Sequence, residues 1–207
     1  VVDLSLPDAP NGEIVDFALS KQIPVIVLTG SFNSEKREKL LALGIVDYVT
    51  KEGRFSYVYV RNLLIRLIKN STVKVLVVDD SSVGRRFVSN LLRLHRYSVV
   101  EASDGVHAIK ILLENPDTQL LITDYNMPRM DGFELVQNIR VKYEKSDLVI
   151  IGISSEGDGS LTAKFIKYGA YDFLKKPFTH EEFFFRVTHN VEMLEMINSI
   201  RDTEKRD

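Results

Sequence analysis

From Val73 onward the chain alternates short runs of apolar, β-branched residues with longer stretches in which apolar positions recur every three or four residues. The runs "VKVLVVDD", "SVVEAS", "QLLITD", "LVIIGIS" and "YDFLKKP" predict five strands; most are apolar throughout, as strands buried on both faces are. The segments "SSVGRRFVSNLLRLHRY", "GVHAIKILLEN", "GFELVQNIRVKY", "LTAKFIKYG" and "THEEFFFRVTHNV" predict five helices. Strict alternation predicts a parallel sheet wrapped by helices on both sides, because parallel neighbours need crossover connections. In such doubly wound sheets, ligands sit beyond the carboxyl ends of the strands. Asp79, Asp80, Asp124, Ser154 and Lys176 all fall at those ends and are expected to converge.

The first part of the chain repeats the second half of that pattern. "VIVLTG" brings Thr29 to the mouth of a strand, as "VIIGISS" brings Ser154. Counted from these hydroxyls, a glycine follows at fifteen residues (Gly44, Gly169), an aromatic at nineteen (Tyr48, Phe173) and a lysine at twenty-two (Lys51, Lys176). Upstream, Asp3 in "VVDLSLP" and Asp124 in "LITDYNMP" each precede a proline by four. Val1 and Val2 then read as the tail of a third strand, so the numbering begins inside a domain. The expected organisation is the C-terminal portion of a first copy over 1–70, a complete second copy over 71–190, and a helical extension toward an output domain over 191–207.

Composition narrows the function classes. A chain of 207 residues with net charge −2 offers no basic face from which to infer a nucleic-acid partner. The absence of cysteine excludes disulfides and thiolate metal sites. The apolar runs fall short of the roughly 20 residues a membrane span needs, and the cytoplasm is the expected compartment. The four histidines, His95, His107, His180 and His189, lack metal-like spacing and are assigned to helix surfaces without a role.

Three carboxylates brought together repel one another unless a cation joins them. Mg²⁺ suits such a place: it takes a few carboxylate and carbonyl oxygens, keeps several waters and bridges to phosphate. An aspartate there can act as a nucleophile toward phosphorus, with a lysine and a hydroxyl holding the phosphoryl oxygens. The expected roles are phosphoacceptor for Asp124, Mg²⁺ ligand for Asp80 with Asp79 supporting, and phosphoryl contacts for Lys176 and Ser154.

On "VLVVDDSSVGRR", "LITDYNMPRMDGFEL", "IIGISS" and "GAYDFLKKPF", which cover the whole second copy, the sequence resembles the receiver domains of two-component response regulators. The resemblance implies the flavodoxin-like five-stranded fold with strand order 2-1-3-4-5, an order known for a chemotaxis member of this family. It implies Mg²⁺-dependent transfer of a phosphoryl group to Asp124 from a phosphohistidine on a sensor histidine kinase or a histidine phosphotransfer protein. It further implies that the backbone carbonyl of Asn126 completes the metal shell and that Ser154 and Phe173 move together as a switch. Asn126 and Glu156 resemble the positions that tune dephosphorylation in chemotaxis-type receivers. The first copy is similar from its acceptor onward, with Asp3, Thr29, Tyr48 and Lys51 in matching places, but Glu52 stands where the family has proline.

Blander roles compete at each position: an N-cap or solvated turn for Asp79 and Asp80, a turn for Asn126, a buried hydroxyl for Ser154, core for Phe173, a loop and helix start for Gly132 and a helix C-cap for Gly169. Thr179 and Glu182 form a capping-box pattern ahead of a stripe of Val187, Val191, Leu194 and Ile197 that outruns the domain. The closing "IRDTEKRD" resembles the connector that precedes GGDEF-type diguanylate cyclase domains, which would make the chain the regulatory part of a cyclase, with a second copy of the chain as a further expected partner. The alternatives are a stand-alone phosphorelay module without enzymatic output and an aspartate-nucleophile phosphatase.

Overall fold

The structure is a computed structural model and describes residues 1–4, 12–155 and 159–204. The chain divides into two compact units, Val1–Thr72 with Leu91–Tyr97, and Val73–Asn90 with Ser98–Asp207.

In the first unit the chain order is β1 (Val2–Asp3), α1 (Glu13–Ser20), β2 (Ile26–Thr29), α2 (Ser34–Leu43), β3 (Asp47–Thr50) and α3 (Arg54–Asn70). The strands make a parallel sheet in the order β1-β2-β3. Because successive side chains leave a strand on opposite faces, Val25 and Val27 pack with Val15, Leu40 and Ile45, whereas Ile26 and Leu28 pack with Val60 and Leu67 of α3. Asn33 caps α2, its side chain accepting from the Lys36 amide at 2.8 Å.

The second unit runs β4 (Lys74–Val78), α4 (Ser82–Leu94), β5 (Ser98–Ala102), α5 (Gly105–Glu114), β6 (Thr118–Asp124), α6 (Gly132–Arg140), β7 (Val149–Ser154), α7 (Gly159–Lys167), β8 (Asp172–Lys175) and α8 (His180–Glu204). Its five parallel strands lie in the order β5-β4-β6-β7-β8, the flavodoxin-like arrangement. Leu76 and Val78 of β4, Leu121 of β6 and Ile150 of β7 face a core built with Ala108, Leu112, Leu135, Ile139 and Phe165. The residues between them, Val75, Val77, Leu120, Ile122, Ile151 and Ile153, are equally buried, which is why these strands read as continuous apolar runs.

The repeat seen in the sequence is a repeat of register. Asp3 pairs with Leu28 and Tyr48 with Val27 in the first sheet; Asp124 pairs with Ile153 and Phe173 with Gly152 in the second. Gly44 and Gly169 both close a helix in the left-handed region, at φ 95° and 117°. In each case the following amide returns to the helix, Ile45 to the Leu40 carbonyl at 3.3 Å and Ala170 to that of Phe165 at 3.0 Å.

Two capping boxes start α6 and α8: Asp131 with Glu134, and Thr179 with Glu182, whose amide lies 3.1 Å from the Thr179 hydroxyl. Helix α8 continues without a break to Glu204, burying Val187, Val191 and Leu194 and half-burying Ile197. His95 departs from its expected place on a helix surface. The chain turns back after α4, with Arg96 at φ 67° and the Tyr97 amide on the Leu92 carbonyl at 3.1 Å, and His95, between them, is only 4% exposed.

Candidate functional site

The switch in winding direction lies between β4 and β6, which are hydrogen-bonded neighbours although β5 separates them in sequence. Their carboxyl ends carry Asp79 and Asp124, so the topology delivers two carboxylates side by side. The Lys176 ammonium, two strands away after β8, reaches both, at 2.6 Å from Asp124 Oδ1 and 3.1 Å from Asp79 Oδ2. The backbone aims it there: the Lys176 amide donates to the Ser154 carbonyl at 2.7 Å, extending the β7–β8 ladder past its last paired residue. The Lys176–Pro177 peptide is cis.

Each acid is held separately. The Asp79 side chain accepts from the Ser81 amide at 2.8 Å, and its carbonyl accepts from the Arg85 guanidinium at 2.7 Å. Asp124 accepts from the Asn126 amide at 3.0 Å through Oδ2, which leaves Oδ1 to Lys176. Both carboxylates are largely buried, with 5% and 11% of their side chains exposed. Burial pushes the Asp124 carboxyl above the usual range; Lys176 opposes that shift and the charge on Asp79 adds to it. Burial also works against the charge on Lys176, but its hydrogen bond to Asp124 and the charges of Asp124 and Asp79 together hold its ammonium above the ordinary lysine value. Two buried acids thus share one cation, an arrangement short of positive charge.

Of the other expected site residues, Ser154 is buried at the end of β7, and Phe173 is buried against Phe165, with ring centres 5.4 Å apart. Asp80 and Asn126 are exposed, while Glu156 lies outside the described residues. In the first unit the Lys51 ammonium pairs with Asp3, and the Lys51 amide donates to the Thr29 carbonyl at 2.8 Å, without the proline that follows its counterpart. Tyr48 is buried there and donates its hydroxyl to the Ser31 carbonyl at 3.1 Å.

The donor set fits Mg²⁺. Two convergent carboxylates with an exposed acid and a carbonyl-bearing loop beside them suit an ion that takes one or two carboxylates and keeps its waters. Among the described residues no group of three or more His, Cys, Asp or Glu side chains is placed to hold a metal ion, so Asp79 and Asp124 converge as a pair without Asp80.

Three glycines shape the site: Gly132, expected at the loop and helix start, and Gly84 and Gly152, to which the sequence assigned no role. A Cβ on Gly132 would lie 2.2 Å from the Asp124 carbonyl oxygen, and one on Gly84 would lie 2.7 Å from Asp79 Oδ2. A Cβ on Gly152, in mid-strand, would meet Phe165 and Phe173 at 2.8 and 2.9 Å. A lone glycine inside an apolar strand was the available signal for the last of these.

Comparison with known proteins gives the same site a family. A crystal structure of a two-component system response regulator/GGDEF domain protein superposes with a TM-score of 0.88 at 44% identity, covering 94% of this chain and 79% of that one. A chemotaxis protein CheY homolog of Campylobacter jejuni is 44% identical over 108 residues, 52% of this chain and 83% of that protein. Chemotaxis protein CheY1 of Helicobacter pylori is likewise 44% identical over 108 residues, covering 87% of its length. The response regulator receiver domain model matches residues 75–188, which run from β4 into the first part of α8 and hold every residue that joins Asp79, Asp124 and Lys176. By sequence, by fold and by the placement of these three side chains, the chain belongs to the response regulator receiver domain family of two-component signalling.

Proposed function

We propose that Asp124 accepts a phosphoryl group from a phosphohistidine on a sensor histidine kinase or histidine phosphotransfer protein. The observation that carries this reading is the Lys176 ammonium lying against Asp124 and Asp79 at the switch point, where two buried acids have one cation between them. As the carboxylate oxygen of Asp124 forms its bond to phosphorus, the P–N bond breaks and its electron pair returns to the imidazole ring. Lys176 stays beside the acceptor and balances charge gathering on the phosphoryl oxygens, and the Ser154 hydroxyl receives one of them. Asp79, Asp80, Asp124 and the Asn126 carbonyl would hold Mg²⁺, which would supply the positive charge the two buried acids lack. Movement of Ser154 toward that group draws Phe173 with it and alters the face around β7 and β8. Asn126 and Glu156 would tune how fast water later hydrolyses the acyl phosphate.

We read residues 1–70 as the second part of another receiver, with Asp3, Lys51, Thr29 and Tyr48 at the corresponding positions, residues 71–190 as the working receiver, and 191–207 as a helix leading toward output. Likeness to response regulator/GGDEF domain proteins favours a diguanylate cyclase as that output. Among the described residues no helix is long and apolar enough to cross a membrane, in keeping with a cytoplasmic regulator.

The test is beryllofluoride with Mg²⁺ followed by NMR. Shifts at Ser154 and Phe173 that vanish in Asp124→Asn support the reading. Repeated turnover of a phosphomonoester by the purified chain would instead indicate a phosphatase.

A further inference from the structure

The loop after the acceptor is tied down at both ends. On the acceptor side the Asn126 amide holds Asp124 Oδ2 at 3.0 Å and the Gly132 amide holds the Tyr125 carbonyl at 2.8 Å. On the far side Arg129, in the left-handed region at φ 69°, pairs its guanidinium with Asp104, whose carboxylate is wholly buried while the Arg129 side chain is 65% exposed. Left-handed backbone is disfavoured for a residue with a long side chain, so something must hold it there. Met130, next along, lies across Gly105 so closely that a Cβ there would meet its Cγ at 2.6 Å.

Asp104 is itself fixed. It caps α5, accepting from the His107 amide at 3.0 Å, and from the Ser103 hydroxyl at 3.1 Å. Two residues earlier, the Ala102 carbonyl accepts the Asp79 amide at 3.3 Å. The turn between β5 and α5 therefore anchors both acid-bearing loops, that of Asp79 through Ala102 and that of Asp124 through Arg129.

We propose that Arg129 and Asp104 form a latch that positions the acceptor loop, keeping the Asn126 amide on Asp124 and the Asn126 carbonyl at the metal side of the site. Arg129 touches neither Asp124 nor Lys176 in any described contact; it acts through the loop, as a positioning residue. The proposal rests on reading Asp124 as the acceptor, but its structural half can be measured without phosphoryl transfer.

Amide hydrogen exchange on the whole chain without added metal tests it, comparing wild type with Arg129→Asn, Arg129→Lys and Asp104→Asn. Asparagine tolerates the left-handed turn but removes the guanidinium, whereas lysine keeps a cation. The expected result is exchange about tenfold faster at Asn126 and Met130 in Arg129→Asn and Asp104→Asn, near wild-type exchange in Arg129→Lys, and unchanged protection in β4 and β6. Titration with Mg²⁺ alone is expected to show affinity about tenfold weaker in Arg129→Asn. Wild-type exchange at Asn126 in Arg129→Asn, or equal acceleration in the lysine variant, overturns the latch. Failure of the wild type to bind Mg²⁺ overturns the reading of the acceptor site instead, and the exchange rates still decide the latch.

Discussion

Lys176 Nζ lies 2.6 Å from Asp124 Oδ1, although the two residues end strands separated by β7. The contact depends on the sheet: the Lys176 amide is fixed on the Ser154 carbonyl, and the side chain then crosses the carboxyl end of β7. In the first unit Lys51 repeats the geometry, with its amide on Thr29 and its ammonium paired with Asp3.

Burial of its carboxylate is expected to make Asp124 destabilising at neutral pH. Its carboxyl titrates higher in the folded chain than in the unfolded one, chiefly through burial, so between the two values the folded state holds more protons. Stability therefore falls as pH rises through that window. Asp124→Asn is expected to gain about 1 kcal/mol above the window, a rise of roughly 2–4 °C in melting temperature. Calorimetric melts should show this gain shrinking as the pH falls into the ordinary carboxylate range; a gain that grows in acid would contradict it.

Lys176 is the cation between two largely buried acids, and Lys176→Met leaves them facing each other. With its side chain 29% exposed, solvent tempers the loss, and about 2 kcal/mol of destabilisation is expected. Adding Asp124→Asn should restore about 2 kcal/mol, more than the roughly 1 kcal/mol it gains alone, since one of the repelling charges is then gone. Strictly additive effects in chemical denaturation would show that the three groups are not coupled.

Gly132 admits no side chain. A Cβ 2.2 Å from the Asp124 carbonyl oxygen must push the backbone of the acceptor strand or the start of α6. Gly132→Ala is expected to cost about 3 kcal/mol in urea unfolding and to weaken Mg²⁺ binding with it. A wild-type midpoint would mean the close approach is easily relieved.

Much of this was legible in the sequence because it is carried by periodicity and by spacing. Five apolar runs gave a five-stranded parallel sheet, and equal spacings from Thr29 and Ser154 became equal registers, since a residue count along a strand-helix-strand path fixes which positions pair. What was not legible depends on contacts between distant residues. His95 looked like a helix-surface residue, yet it lies just past the end of α4, next to the left-handed Arg96, and is buried. The ion pair of Arg129 with Asp104 joins two loops with no motif to announce it. The adjacent acids Asp79 and Asp80 are alike in composition, yet the side chain of Asp79 reaches Lys176 while Asp80 stays exposed, a difference set by where β4 ends.

The central claim, phosphoryl transfer to Asp124, is tested most directly by the intact mass of the chain after incubation with acetyl phosphate and Mg²⁺. Wild type is expected to gain a phosphoryl group that Asp124→Asn does not take up and that Asp3→Asn retains. Equal labelling of wild type and Asp124→Asn would contradict the assignment of Asp124 as the acceptor.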